Sequence, residues 1–205
     1  MIVIIDYGMG NLGTVIAKIK KIDPNVIVSS SVTDIEKAEK LVLPGVGSFK
    51  AAMDNLDARA LIPALNRQVI KNKVPILGIC LGMQLFSRRS EEGVCIGLGW
   101  TDAETIRFRF PESEDHLRIP HMGWNTVHFK REIPLLKGIE NDMRFYFTHS
   151  YHIRVQDIQD DCASTEYGYE FCSIINHQNI TGVQFHPERS HKNGLALLSN
   201  FVRGE

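Results

Sequence analysis

Residues 74–84 read Val-Pro-Ile-Leu-Gly-Ile-Cys-Leu-Gly-Met-Gln. The apolar run Val74 to Ile79 drives into the turn Gly78-Ile-Cys-Leu-Gly82, and a helix-like stretch, Met83 to Arg88, follows. Strand, sharp turn and helix with a nucleophile at the bend make a nucleophile elbow, here with cysteine in place of serine. Gly78 and Gly82 lack a Cβ, so the chain can turn tightly and pack closely on both sides of Cys80. Cys80 is then placed at a helix start, where free N–H groups and the positive dipole end favour negative charge on its sulfur.

An elbow needs a parallel sheet behind it. The first half of the chain alternates accordingly: strands over 2–6, 26–29, 41–43 and 74–79, with helices over 11–22, 33–39 and 51–71, the last broken near Pro63. That order predicts an α/β fold with a doubly wound, mostly parallel central sheet and flanking helices. The second half changes character. Short strands are predicted over 100–109, 125–129, 144–148, 151–155, 162–166, 171–176 and 180–185, an antiparallel addition in the C-terminal half. Asn193 to Val202 reads as a closing amphipathic helix with Leu195, Leu198, Phe201 and Val202 on one face. Arg109 to His116, polar with one proline, reads as a loose loop. No linker is long enough to separate two domains, so residues 1–205 are expected to form one.

A base for Cys80 stands near the far end. Residues 185–188 read Phe-His-Pro-Glu after a strand-like run. Side chains two apart in an extended segment point the same way, so Glu188 can orient His186. A cysteine after a buried strand is by itself ordinary core packing, and a lone His-Pro-Glu is an ordinary strand end. Both in one chain predict a triad in the order Cys80, His186, Glu188.

Composition sets outer limits. Of 205 residues, 43% are apolar and 23% charged, an ordinary globular balance. A net charge of −1 gives no whole-chain case for nucleic acid or an anionic membrane. The opening Met-Ile-Val-Ile-Ile-Asp lacks a basic flank and reads as a buried strand rather than a leader, and no apolar run approaches a membrane span. The cysteines at 80, 95, 162 and 172 form no CxxC pair, which argues for a reducing cytoplasmic setting and against disulfides or structural zinc. The histidines at 116, 128, 152, 177 and 191 have no metal-site spacing, so no metal is expected. Gly8-Met-Gly-Asn-Leu-Gly13 has dinucleotide-fingerprint spacing, but the next strand ends Ser29-Ser30-Ser31 without the acidic residue that would hold a ribose. The expectation is a tight strand–helix turn and no cofactor.

Gly78-Ile-Cys-Leu-Gly82 followed by Gln84, together with Phe185-His-Pro-Glu188, resembles the triad-type (class I) glutamine amidotransferases. Asp6-Tyr-Gly-Met-Gly-Asn11, Pro44-Gly-Val-Gly47, Pro120-His-Met-Gly-Trp-Asn125 and Tyr146-Phe-Thr-His-Ser-Tyr151 are similar to one branch, the glutaminase subunits of imidazole glycerol phosphate synthase. The resemblance runs from about residue 2 to about residue 202. It implies the class I glutaminase fold, L-glutamine as substrate and, as partner in a heterodimer, a (β/α)8-barrel synthase subunit. It implies an oxyanion hole from the Leu81 N–H and a second N–H at Val46 or Gly47, an arrangement that elbow hydrolases share. It implies substrate binding by Gln84, Glu92 and the backbone around His149, Ser150 and Tyr151, with Glu91 beside Glu92 leaving the carboxylate open by one residue. It also implies that Asn11, His121, Trp124 and Asn125 face the partner.

The expected chemistry is hydrolysis of glutamine to glutamate and ammonia. Free ammonia becomes non-nucleophilic ammonium in neutral water, so useful delivery needs a shielded route to the partner. Three other readings remain open. One is a paralogous glutaminase whose partner aminates a bacterial surface sugar, to which Gly99–Glu104, Tyr167–Phe171 and Ser190–Lys192 look slightly closer. The second is a stand-alone cysteine hydrolase of γ-glutamyl compounds or peptides. The third is a catalytically silent binding module, against which the intact triad speaks.

Overall fold

A computed structural model describes residues 1–114 and 116–204, apart from the side chain of Ser113. The first half builds strands β1 (Ile2–Ile5), β2 (Val26–Ser29), β3 (Lys40–Gly45) and β4 (Ile76–Cys80). Between them run helices α1 (Leu12–Ile19), α2 (Val32–Glu36), α3 (Phe49–Ala58) and α4 (Leu61–Asn66), and α5 (Leu81–Gln84) follows β4 directly. Then come β5 (Arg89–Ser90), β6 (Cys95–Ile96), β7 (Ala103–Arg107), β8 (His121–Phe129), β9 (Met143–His149), β10 (Tyr151–Val155), β11 (Asp161–Tyr167), β12 (Tyr169–His177) and β13 (Ile180–Val183). Helix α6 (His191–Arg203) closes the described chain.

Among the described residues nine strands form one sheet in the order β2-β1-β3-β4-β13-β12-β11-β8-β9. The pairs from β2 through β13 are parallel, and those from β13 to β9 antiparallel. The antiparallel addition therefore continues the parallel sheet. A second sheet, β10-β7-β5-β6, lies beside it. The two-residue strands β5 and β6 carry no strand pattern in the sequence. They exist because Arg89 and Ser90 pair both with Cys95–Ile96 and with β7.

The winding follows from alternation along the strands. In β1, Ile2 and Ile4 pack with Val15 and Ile19 of α1 and Leu197, Leu198 and Phe201 of α6. Val3 and Ile5 point the other way, to Ile35 of α2, Leu56 of α3 and Leu61 and Leu65 of α4. All four β1 side chains are buried, each contributing about 1.5–3 kcal/mol relative to exposure. A strand buried on both faces must read as unbroken apolar sequence.

Three elements depart from their sequence readings. The long helix breaks at Ala60, which has φ +54°, and not at Pro63. Pro63 sits in the first turn of α4, where a missing N–H leaves nothing unpaired. Met83 to Arg88 is not a helix: α5 ends at Gln84 and the chain bends toward the second sheet. On α6 the buried face is Gly194, Leu197, Leu198, Phe201 and Val202, with Leu195 partly exposed. Gly194 sets this rotation, because a Cβ there would lie 1.9 Å from the Pro187 carbonyl oxygen. In the expected loop 109–116, Glu112–Glu114 forms a short 3-10 turn, and Asp115 lies outside the described residues.

Candidate active site

Cys80 is the last residue of β4, with φ +53° and ψ −109°. A non-glycine residue there stores about 1–3 kcal/mol of backbone strain, held in place by its surroundings. The holding is visible. A Cβ on Gly78 would come within 2.6 Å of Phe86, and one on Gly82 would come within 1.7 Å of the Leu43 carbonyl oxygen. The first turn of α5 is thus pressed onto β3. The sulfur is almost buried, 3.9 Å from the Thr148 carbonyl oxygen and 3.6 Å from Gln184 Nε2.

Strands β3 and β13 flank β4, with Gly45 opposite Cys80 and Val183 opposite Ile79. The chain beyond β13 therefore arrives beside the cysteine. His186 is fixed there by its N–H to the Tyr146 carbonyl (2.8 Å) and by the Ser190 hydroxyl donating to its own carbonyl (2.7 Å). Residues 187–189 form a 3-10 turn where the sequence predicted extended chain. The turn still brings the pair together: His186 Nδ1–H donates to Glu188 Oε1 at 2.8 Å, both side chains 3% exposed. That bond leaves Nε2 as the atom free to exchange a proton, and Nε2 makes no normal hydrogen bond to another protein group. Burial alone would lower the imidazole pKa, but charge on Cys80 and the Glu188 carboxylate outweigh it and raise it to about 10. Burial, and then the Cys80 charge, push the Tyr7 phenol above its ordinary range; its hydroxyl donates to the Pro44 carbonyl at 2.8 Å.

A cavity of about 250 Å³ opens over Cys80. Val46, Gly47 and Leu81 line one side, Gln84 and Glu92 another, and Thr148 to Tyr151 a third. All the residues expected for the oxyanion hole and substrate binding therefore border one cavity with Cys80. Glu92 Oε2 accepts the Phe49 N–H at 2.7 Å. Glu91 is turned away, accepting from the Arg107 N–H (2.9 Å) and Arg109 (3.1 Å). Gly47 has φ +122°, and a Cβ there would meet Met9 Cε at 2.5 Å. Gly10 lies against Gly45, so the Gly8–Asn11 turn rests on the loop beside Cys80. A larger depression of about 870 Å³ lies at the distant end of β8. Two of the cations that line it are engaged, Lys130 with Asp161 and Arg131 with Cys162 and the Asn176 carbonyl.

The four residues expected at a partner surface are placed differently from one another. Asn11 caps α1, its side chain accepting from the Thr14 N–H. Trp124 is 37% exposed and stacks on His191, ring centroids 5.1 Å apart. His121 is buried, Nδ1 3.0 Å from His149 Nε2 and Nε2 3.2 Å from Asn125 Nδ2. In the chain by itself it belongs to the interior behind the cavity, and Asn125 joins that interior network. Burial holds His121 and His152 near a pKa of about 4 and His149 well below its usual range, so all three are neutral. Among the described residues no group of three or more His, Cys, Asp or Glu side chains is placed to hold a metal ion, and no helix is long and apolar enough to cross a membrane.

Gln184 was not among the residues singled out from sequence. It is fully buried, touches the Cys80 sulfur and receives a hydrogen bond from Gln84. Its signal was available: a carboxamide two residues before His186, inside an apolar run, demands polar partners.

A strained cysteine at a parallel strand end, with a buried histidine–carboxylate pair just beyond the adjacent strand, has the geometry of a cysteine hydrolase site. The family model "Glutamine amidotransferase class-I" matches residues 3–204. The chain is 46% identical over 202 residues to imidazole glycerol phosphate synthase subunit HisH 2 of Pseudomonas aeruginosa, covering 98% of each chain. It is 47% identical over 203 residues to HisH 2 of Methanococcus maripaludis, covering 99% of each. A crystal structure of a glutamine amidotransferase superposes with TM-score 0.76 at 14% identity, covering 99% of both chains. The crystal structure of a glutamine amidotransferase from Thermotoga maritima gives 0.65 at 17% identity, over 91% of this chain and 75% of the other. The chain belongs to the class I glutamine amidotransferase family, among its HisH relatives.

Proposed function

We infer that this chain is the glutaminase subunit of an imidazole glycerol phosphate synthase, acting as one domain in a cytoplasmic heterodimer with a (β/α)8-barrel synthase subunit. The observation that carries the chemistry is Cys80 sharing one cavity with the Gln84/Glu92 wall while the buried His186–Glu188 pair lies beside its sulfur. The Cys80 sulfur attacks the substrate amide carbon. The Leu81 N–H and a second N–H at Val46 or Gly47 receive the oxyanion. His186 Nε2 delivers a proton to the departing ammonia, then takes one from the water that opens the glutamyl thioester. Glu188 keeps the imidazole in the tautomer that presents Nε2. Glu92 faces the α-ammonium, Glu91 being held by Arg107 and Arg109, and the backbone of His149, Ser150 and Tyr151 faces the α-carboxylate. Asn11, Trp124 and Asn125 contact the partner, with His121 supporting them from inside.

The full-length likeness to HisH subunits supports the histidine-pathway acceptor. Two HisH relatives come from the same Methanococcus maripaludis strain, which keeps a paralogue serving another acceptor as the second reading. The test is a Cys80→Ala chain in complex with the copurifying synthase. Glutamine-dependent product is expected to vanish while ammonium-dependent synthesis persists. Undiminished glutamine-dependent synthesis would overturn the assignment, and a copurifying synthase that aminates a sugar would select the paralogue.

A further inference from the structure

We propose that Gln184 is a catalytic residue, a fixed N–H donor to the Cys80 sulfur, whose direction is imposed by a chain of hydrogen bonds starting at a backbone carbonyl. The proposal rests on the glutaminase reading and extends it to a residue outside the triad.

Which way a buried carboxamide points must be read from its neighbours. Here they leave one answer. The Tyr151 carbonyl oxygen can only accept. It receives Gln84 Nε2–H at 2.8 Å and His149 Nδ1–H at 2.8 Å. Gln84 therefore turns its NH2 group inward, and the same nitrogen lies 3.1 Å from Gln184 Oε1. Gln184 must then present Nε2 to Cys80 Sγ, at 3.6 Å. Reversing Gln184 would set two NH2 groups against each other and leave an amide oxygen facing the sulfur lone pairs. The backbone is equally fixed, the Gln184 N–H donating to the Ser173 carbonyl at 2.9 Å. The side chain is fully buried, so no water substitutes for this donor at no cost.

The donor acts where sulfur holds the electron pair. In acylation the sulfur pair forms the C–S bond as the carbonyl π pair moves to oxygen. In hydrolysis of the thioester, water oxygen adds to the acyl carbon, the C–S bond breaks, and its pair returns to sulfur. Gln184 transfers no proton in either step; its N–H stabilises the sulfur before attack and as leaving group. His186 remains the proton carrier.

Gln184→Met keeps length and removes the donor. Gln184→Glu keeps the oxygen that accepts from Gln84 and replaces the donor with a second oxygen. Each would be measured as full chain in complex with the synthase for kcat and KM, and as free chain for iodoacetamide modification of Cys80 against pH, read by peptide mass spectrometry. A charge-assisted donor of this kind predicts a fall in kcat of about 10- to 100-fold with KM changed less than about threefold. The alkylation midpoint should rise by about one pH unit in Gln184→Met, which adds no charge, a shift that a packing role would not produce. A folded variant with the natural kcat and alkylation midpoint would overturn the proposal. Failure of both variants to fold would overturn it as well, by making Gln184 a residue of the core and not of the reaction. The glutaminase reading is tested separately by Cys80→Ala: loss of hydrolysis there, with Gln184→Met unaffected, removes the Gln184 role alone.

Discussion

Substituting Gly82 by alanine tests whether the elbow is held by backbone contact. An added Cβ would lie 1.7 Å from the Leu43 carbonyl oxygen, against a floor near 3.0 Å for real Cβ contacts. Neither partner is a flexible side-chain end: one is α5 backbone and the other a carbonyl of β3, which is paired on both sides. The elbow must therefore move by roughly 1.3 Å or push β3 out of its ladder. Overpacking of this kind costs about 1–3 kcal/mol and occasionally more. A displacement of about 1 Å at the nucleophile costs on the order of 10²-fold in rate. The assay pairs urea unfolding of the free chain with steady-state glutamine hydrolysis in the complex. Gly82→Ala is expected to lose at least about 1 kcal/mol and about 100-fold in kcat. Gly13→Ala is the matched control, since only Asn11 Oδ1, at 4.0 Å, approaches its added Cβ. In α1 it should gain up to about 1 kcal/mol from lower unfolded-state entropy and better helix propensity. A Gly82→Ala chain with natural stability and natural kcat would refute the backbone-contact argument.

Three further outcomes are expected. His186→Ala should abolish turnover, and Glu188→Gln should reduce it less while lowering the His186 titration point below about 10, read by NMR; equal small losses at both would name another base. Because His121 and His152 are held neutral near a pKa of about 4 against an ordinary 6.5, their contribution to stability is complete above about pH 6.5 and is lost as pH falls toward 4; a urea midpoint unchanged between pH 7.5 and 4.5 would contradict this. The free chain should hydrolyse glutamine slowly and be activated by the ligand-loaded partner, by about 10²–10³-fold if one oxyanion donor is missing when the chain is alone. The Gly8–Asn11 turn resting on Gly45 and Gly47 offers the route, and a free chain as fast as the complex would eliminate gating.

What the sequence disclosed divides along physical lines. Strands β1, β3 and β4 were legible because residues buried on both faces leave unbroken apolar runs, and the elbow because only glycine fits against Phe86 and Leu43. The His186–Glu188 contact was read correctly for an incorrect reason: a 3-10 turn, not an extended strand, brings the two together. The break at Ala60 could not be read, because alanine carries no mark of a left-handed turn while nearby Pro63 carries a misleading one. Strands β5 and β6 are products of pairing and have no local pattern. The inward turn of His121 and Asn125 depends on β8 meeting β9 and on Glu166 of β11, contacts that lie far apart in the chain.

Strand β13 sits in the middle of the large sheet, between β4 and β12, and this has a temporal consequence. During synthesis Cys80 leaves the ribosome about a hundred residues before His186, an interval of roughly 5–20 s at ordinary elongation rates. Until β13 inserts, β4 presents an open edge and Cys80 has neither His186 nor Gln184 beside it. On the proposed mechanism the growing chain is therefore idle, and it carries an adhesive strand edge at the same time. Chaperone capture should concentrate in the window between emergence of residues 76–80 and of residues 180–183. Ribosome-bound chains of increasing length, probed for Cys80 alkylation, would time the closure.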